Sequence, residues 1–292
     1  MKNNLIICCF GVGISIATSA SPYLIGNSIN LYLASDNLYL YALASASLFI
    51  IITPPLKLAA NIYIQRTTSK TRYILKKTIL TYLLNTRLQT KRKLGERIEL
   101  IDGDVDGSTY LYHSVYFDIS LNGSIIIAAL VITAFYHPLL ALAPLSGLLY
   151  ATAAYFLTRR NSNSLFSDYI QKNTATIGII CEHLYDATPY TDRLELDIKN
   201  VKRLAFRSSF KASTFESVSG SCYPVAMFVL FLVSTYLLRS GDSNIGAIFA
   251  STIYLERVLS PTMSLISIYY SSREASYRRS RIRSYELQNE GH

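Results

Sequence analysis

No stretch of the 292 residues matches G-x-x-x-x-G-K-[ST]. That pattern forms the loop that cradles nucleotide phosphates, so the chain is not expected to hydrolyse ATP by itself. Charge is also scarce: Asp, Glu, Lys and Arg make up 16% of the chain, against about 25% in soluble proteins. Tryptophan is absent, which leaves 23 tyrosines as the aromatic anchors suited to membrane interfaces. The four cysteines, Cys8, Cys9, Cys181 and Cys222, lack metal-ligand spacing, and two of them open an apolar run. They read as apolar filler, with no disulfide framework. The four histidines do not cluster, so no metal site is supported. No nucleophile–base constellation is readable, so no catalytic residue is assigned.

What is present is apolar residues, half of the chain, with a mean hydropathy of +0.26. They fall in long runs that alternate with basic stretches, the pattern of an all-α polytopic membrane protein. Spans are expected near Leu5–Leu33, Leu38–Tyr63, Phe117–Tyr136, Leu139–Leu157, Val218–Leu238 and Ile245–Tyr269. Each is long enough to cross about 30 Å of hydrocarbon at roughly 1.5 Å per residue. Met1 to Asn4 and the following run also fit a signal peptide. The run continues past Ile25 without a clear cleavage site, which favours a first span.

The basic residues set the expected topology. Lys57 to Arg97 holds eleven Lys/Arg, Arg159 to Lys211 nine, and Arg273 to Arg283 five. The short connections hold only Arg239. By the positive-inside rule, both long connections and both termini are cytoplasmic. The net charge of +9 is then a topology signal that follows membrane-flanking helices, and nucleic acid is not an expected partner. The lipid bilayer is.

The whole chain, residues 1–292, reads as one six-helix domain. Residues 64–116 and 158–217 form two long cytoplasmic hairpins, and 273–292 a basic tail suited to anionic headgroups or to leading toward a motor. Leu80, Leu83, Leu84 and Leu88 recur at helical steps, as do Leu165, Tyr169, Ile177 and Ile180. Spans two to five are therefore expected to continue as helices beyond the bilayer, joined in pairs by short crosswise helices.

Within the first hairpin, Gly95-Glu96 is followed by Asp104-Val105. In the last span, Pro261 precedes Arg281-Ile282 by twenty residues, with Ala275 between them, and Ile245-Gly246 follows the outer turn. In order and spacing these elements resemble the transmembrane domain of type-1 (exporter-fold) ABC transporters across nearly the whole chain. There are departures. Leu100 and Gly103 stand where the family often has Arg and Asn. In the second hairpin Glu182 and Leu184 are followed by Asp186, and Pro189 interrupts.

The resemblance implies a permease subunit of an ATP-driven exporter, with peptide or amphipathic cargo. The chain ends at His292, about where the family's ATPase domain would begin, so ATP and Mg would sit on a separate ATPase subunit, or the chain is a truncated or degenerate relative. A second six-helix copy, identical or similar, would complete the path, in a bacterial inner membrane. Gly95, Glu96, Arg97, Asp104 and Val105 would couple to the motor, together with Tyr190, Thr191, Asp192, Arg193 and Leu194 of the second hairpin. The acidic set Glu96, Asp102, Asp104 and Asp106 fits a docking surface, or a solvated charged hairpin. Two other readings stay open: a proton-gradient-driven peptide carrier of similar fold, and a non-transport sensor or immunity partner.

Glu256 and Arg257 lie about fourteen residues past Asp242, roughly 20 Å into the last span. Charges at that depth usually face a bundle interior or an aqueous cavity. They are expected to line a cavity, to contact substrate or to pair with another span. Tyr223 and Tyr254 are further cavity candidates, set against interface anchoring. Gly13, Ala17 and Ser21 make a small-residue stripe suited to helix packing. Pro54-Pro55 and Pro224 are expected to kink or unwind spans two and five.

Overall fold

The computed structural model describes residues 2–85, 100–159 and 192–287, with helical stretches between residues 168 and 180. Its elements are α1 (Lys2–Leu33), α2 (Tyr39–Asn85), a π-helical turn (Leu100–Asp104), α3 (Val105–Thr109) and α4 (Ser114–Tyr136). A 3₁₀ turn (Pro138–Ala141) follows, then α5 (Leu142–Arg159), α6 (Asp192–Gly220), α7 (Cys222–Ser240) and α8 (Ile245–Leu287). No strand occurs among the described residues.

Five segments are long and apolar enough to cross a membrane: Asn3–Leu33, Tyr39–Thr81, Leu100–Tyr136, Pro138–Leu157 and Ser213–Ser240. This is an all-α chain of membrane-protein character. The sixth expected span is the first half of α8 and is not among the five. Glu256, Arg257 and interspersed serines and threonines dilute its apolar content.

The three short connections lie where the hydropathy breaks. Asp36 Oδ1 accepts from the Leu38 N–H at 3.0 Å and fixes the turn after α1. His137 Nδ1 accepts from the Leu139 N–H at 3.2 Å and starts the 3₁₀ turn. Gly241 ends α7 at φ 78°, a left-handed position that disfavours a Cβ. The prolines behave differently from one another. α2 runs through Pro54-Pro55 without interruption. The helix before Pro224 instead breaks at Ser221, because Pro224 has no N–H to offer the Gly220 carbonyl.

The chain divides into two compact units. The first comprises Met1–Arg66, His113–Ala154 and Val218–Tyr269. It contains only Lys2, Lys57, Arg66, Arg239 and Arg257 of the 28 basic residues, and Asp36, Asp118, Asp242 and Glu256 of the 19 acidic ones. The division by packing thus coincides with a division by charge. Within this unit Ile7 and Ile14 pack on Ala60, Ile64 and Phe117. Ala129 of α4 meets Ala250, Tyr254 and Val258 of α8. Leu140, Ala143, Cys222 and Ala226 cluster with Leu255 and Leu259. One side of the first half of α8 therefore packs against α4, α5 and α7.

In α1 the close-packed glycine is Gly11, whose position leaves no room for a Cβ beside Ser120 Oγ. Gly13 faces open space, so the expected stripe is displaced. Ala17 and Ser21 of that stripe are buried.

The second unit comprises Thr67–Tyr112, Tyr155–Ser217 and Tyr270–His292. Its apolar centre is Ile79, Leu100, Val105 and Ile282. Tyr155 packs edge-on against Phe215, with ring centroids 6.4 Å apart, and lies 5.8 Å from the Tyr270 ring.

Candidate functional site

In the second unit, alternation in IDGDVDG sends successive acidic residues in different directions. The π-helical turn ends at Asp104 and α3 begins at Val105. Wide turns of this kind recur at functional sites. Val105 is fully buried against Ile79 and Ile282. Asp104 is fully buried as well and faces two arginines of α8. Arg281 Nε lies 3.3 Å from Asp104 Oδ2, and Arg281 Nη1 donates to Oδ1 at 3.4 Å. Arg278 Nη1 lies 3.6 Å from Oδ1, and Arg278 is itself held by Glu274 Oε1 at 3.0 Å.

Gly107 makes this possible, since a Cβ there would run into the Arg278 side chain. A buried carboxylate is tolerated when it is paired and hydrogen-bonded. Removing one partner of such a pair typically costs about 3–5 kcal/mol.

The flanking carboxylates turn to α2. Asp102 lies 3.0 Å from Lys76 Nζ, and Asp106 lies 3.2 Å from Lys76 and 3.3 Å from Arg72 Nε. These pairs are part-exposed and worth about 0–1 kcal/mol each. Arg279 stacks over the Tyr112 ring at 5.1 Å. Three aspartates therefore tie α3 to α2 on one side and to α8 on the other.

Of the expected coupling residues, the structure brings Asp104 and Val105 together with Arg281 and Ile282. Asp104 has no exposed surface, so it is an internal clamp and not part of a docking surface. Leu194 is buried. Gly95, Glu96, Arg97, Tyr190 and Thr191 lie outside the described residues, as do the side chains of Asp192 and Arg193.

In the first unit, the four cavity candidates separate. Tyr254 is fully buried, and its hydroxyl donates to the Ser19 carbonyl of α1. Burial in the core removes it from any cavity. Arg257 turns the same way, and its Nη1 donates to the Thr18 carbonyl. Local sequence explains this contact. In an α-helix the Thr18 carbonyl would accept from the N–H of residue 22. Residue 22 is proline and has no N–H. Arg257 supplies a substitute donor, alongside Ser21 Oγ at 3.2 Å.

Glu256 is one position, about 100°, around the helix from Arg257 and is exposed. Its carboxylate forms no salt bridge among the described residues, and its charge acts on the adjacent Arg257. Tyr223 is also exposed. An ionised side chain at the centre of a bilayer costs about 2.5–3.5 kcal/mol on translocon scales.

Sequence reasoning missed Arg278, Arg72, Lys76 and the pairing of Arg257 with Thr18. The mid-span coincidence of Pro22 and Arg257 was a usable signal for that last contact. Among the described residues no three His, Cys, Asp or Glu side chains are grouped to hold a metal ion. In comparison with known proteins, no family model matches the chain and no curated protein matches it significantly.

Proposed function

We propose that this chain is the membrane-spanning permease subunit of an ATP-driven transporter with the type-1 ABC exporter fold. It works with a separate ATPase that carries ATP and Mg. One observation carries the reading: Asp104-Val105 and Arg281-Ile282, the two motif pairs of the resemblance, meet residue for residue. Asp104 pairs with Arg281 and Val105 packs on Ile282, across 177 positions of sequence. A motor that displaces the first hairpin would pull on α8 through this clamp, and α8 runs on into the apolar bundle. Such a device moves between two packed arrangements.

α8 is the sixth span in this reading. Its packing among α4, α5 and α7 supports that role despite its polar content. The long basic connections and both termini are cytoplasmic, in an inner membrane. Six helices enclose too little space for alternating access, so two copies, identical or similar, form the path.

The test is mild-detergent extraction from native membranes, with the chain as bait. An ATPase subunit is expected to co-purify and to be lost when Glu96 is replaced by Lys. Absence of any ATPase, together with transport that survives ATP depletion, overturns the proposal. A second reading is favoured by the exposed Glu256, which forms no salt bridge among the described residues: a proton-gradient-driven carrier that uses this carboxylate. Transport collapsing with a protonophore while ATP is held constant would select it.

A further inference from the structure

We infer that the face of α8 centred on Glu256 lines a water-filled path and that Glu256 is the binding group for a cationic, partly apolar cargo. The inference deepens the permease reading and rests on its membrane path. It does not depend on the motor. The first observation is the separation of faces on α8. Tyr254, Leu255, Val258 and Leu259 are buried against neighbouring helices, and Arg257 is pinned to Thr18. That contact fixes the rotation of α8 about its own axis and leaves Glu256 on the outer side.

The second observation is what accompanies Glu256 there. At about 100° per residue, Phe249, Thr252, Ser260, Met263 and Ser267 lie within roughly 40° of it. Phe249, Glu256, Ser260 and Ser267 are exposed, and Thr252 and Met263 half-buried. Thr252 Oγ1 donates to the Ile248 carbonyl at 3.1 Å, a bond within its own helix turn that leaves the hydroxyl free to accept.

A carboxylate and three hydroxyls do not belong against lipid tails, and ionisable groups within spans face water-filled cavities or bundle interiors. The exposed face of α7 around Phe228 differs from this one. On α7, Phe228, Phe231 and Leu232 are exposed and apolar, which suits lipid. A carboxylate with no salt bridge among the described residues, flanked by Phe249 and Met263, is complementary to a cation that carries apolar groups. The carboxylate attracts the cation, and the aromatic face and thioether suit its apolar body.

The full chain in lipid nanodiscs provides the test, with tetraphenylphosphonium as the probe and equal-shaped tetraphenylborate as its anionic control. Tetraphenylphosphonium is expected to bind. Glu256→Gln should weaken it at least ten-fold and Glu256→Asp by no more than a few-fold, while tetraphenylborate should not weaken in Glu256→Gln. In parallel, Ser260→Cys and Ser267→Cys should react with a charged, membrane-impermeant thiosulfonate above the background of the unsubstituted chain. Leu232→Cys on α7 should not.

Equal phosphonium affinity in wild type and Glu256→Gln overturns the inference. So does no reaction at both serine positions, which would mean that lipid or a packed second copy covers this face. A chain that co-purifies no ATPase yet binds the probe through Glu256 would remove the motor proposal and leave this one standing.

Discussion

Gly26 of α1 and Gly246 of α8 stand backbone to backbone. The Gly246 N–H donates to Asn30 Oδ1 at 3.0 Å, and a Cβ on Gly26 would lie 2.8 Å from the Gly246 carbonyl oxygen. A Cβ on Gly246 would collide with the Gly26 carbonyl and the Asn30 amide. The Gly26 carbonyl is backbone and cannot swing aside. Gly246→Ala should therefore destabilise by about 1–3 kcal/mol, the usual range for overpacking. Gly123, inside α4, faces open space. There the same exchange should stabilise by about 0.5–1 kcal/mol, because it removes glycine's freedom in the unfolded chain. Thermal unfolding in detergent should move the two variants in opposite directions. Equal shifts would dismiss the close contact.

Asp102 and Asp104 are two residues apart and differ in burial: one is exposed and the other has no exposed surface. Asp104→Asn should cost about 3–5 kcal/mol, since Arg278 and Arg281 lose the carboxylate that offsets their own burial. Asp102→Asn should cost less than about 1 kcal/mol, because Lys76 keeps solvent and Asp106. The melting temperatures of the two isosteric variants measure the difference directly. Comparable losses would mean that burial does not govern this triplet.

Arg257 matters to α1 only because Pro22 leaves a carbonyl unserved. Pro22→Ala restores an N–H to Thr18, and Arg257→Gln weakens the substitute donor. If the two act on one carbonyl, the cost of Arg257→Gln should shrink in the Pro22→Ala background. The coupling should be at least about 1 kcal/mol, within the range for residues that share a partner. Additive effects would separate the two residues.

Much of the helical plan was legible because it is written in local signals. Hydropathy and the breaks at Asp36, His137 and Gly241 mark the turns. Most of the charge falls in the segments of the second unit. What remained hidden was pairwise. Nothing local in the sequence says that Asp104 is the buried member of Asp102, Asp104 and Asp106, since that depends on the π-helical turn. Tyr254 reads as amphipathic cavity lining, yet it is core, because the Ser19 carbonyl is there to accept its hydroxyl. Gly13 and Gly11 are equally small, and only the position of Ser120 selects Gly11. The Glu256–Arg257 step was visible as an anomaly, but its division into one exposed and one pinned charge came from Pro22, 235 positions earlier.

Gly107 provides a test of the clamp that leaves every charge in place. A methyl group there meets the Arg278 side chain near Cδ and Nε. That side chain can swing aside, so Gly107→Ala need not break α3. It should, however, lift Arg278 from Asp104 and leave Arg281 as the main partner. The expected cost is about 1–2 kcal/mol, below that of Asp104→Asn. Arg278→Ala should then be nearly silent in the Gly107→Ala background while remaining costly alone, because one displaced contact cannot be lost twice. Unfolding midpoints of the two single variants and the double variant supply the cycle. Strict additivity would show that Gly107 is glycine for a reason other than Arg278.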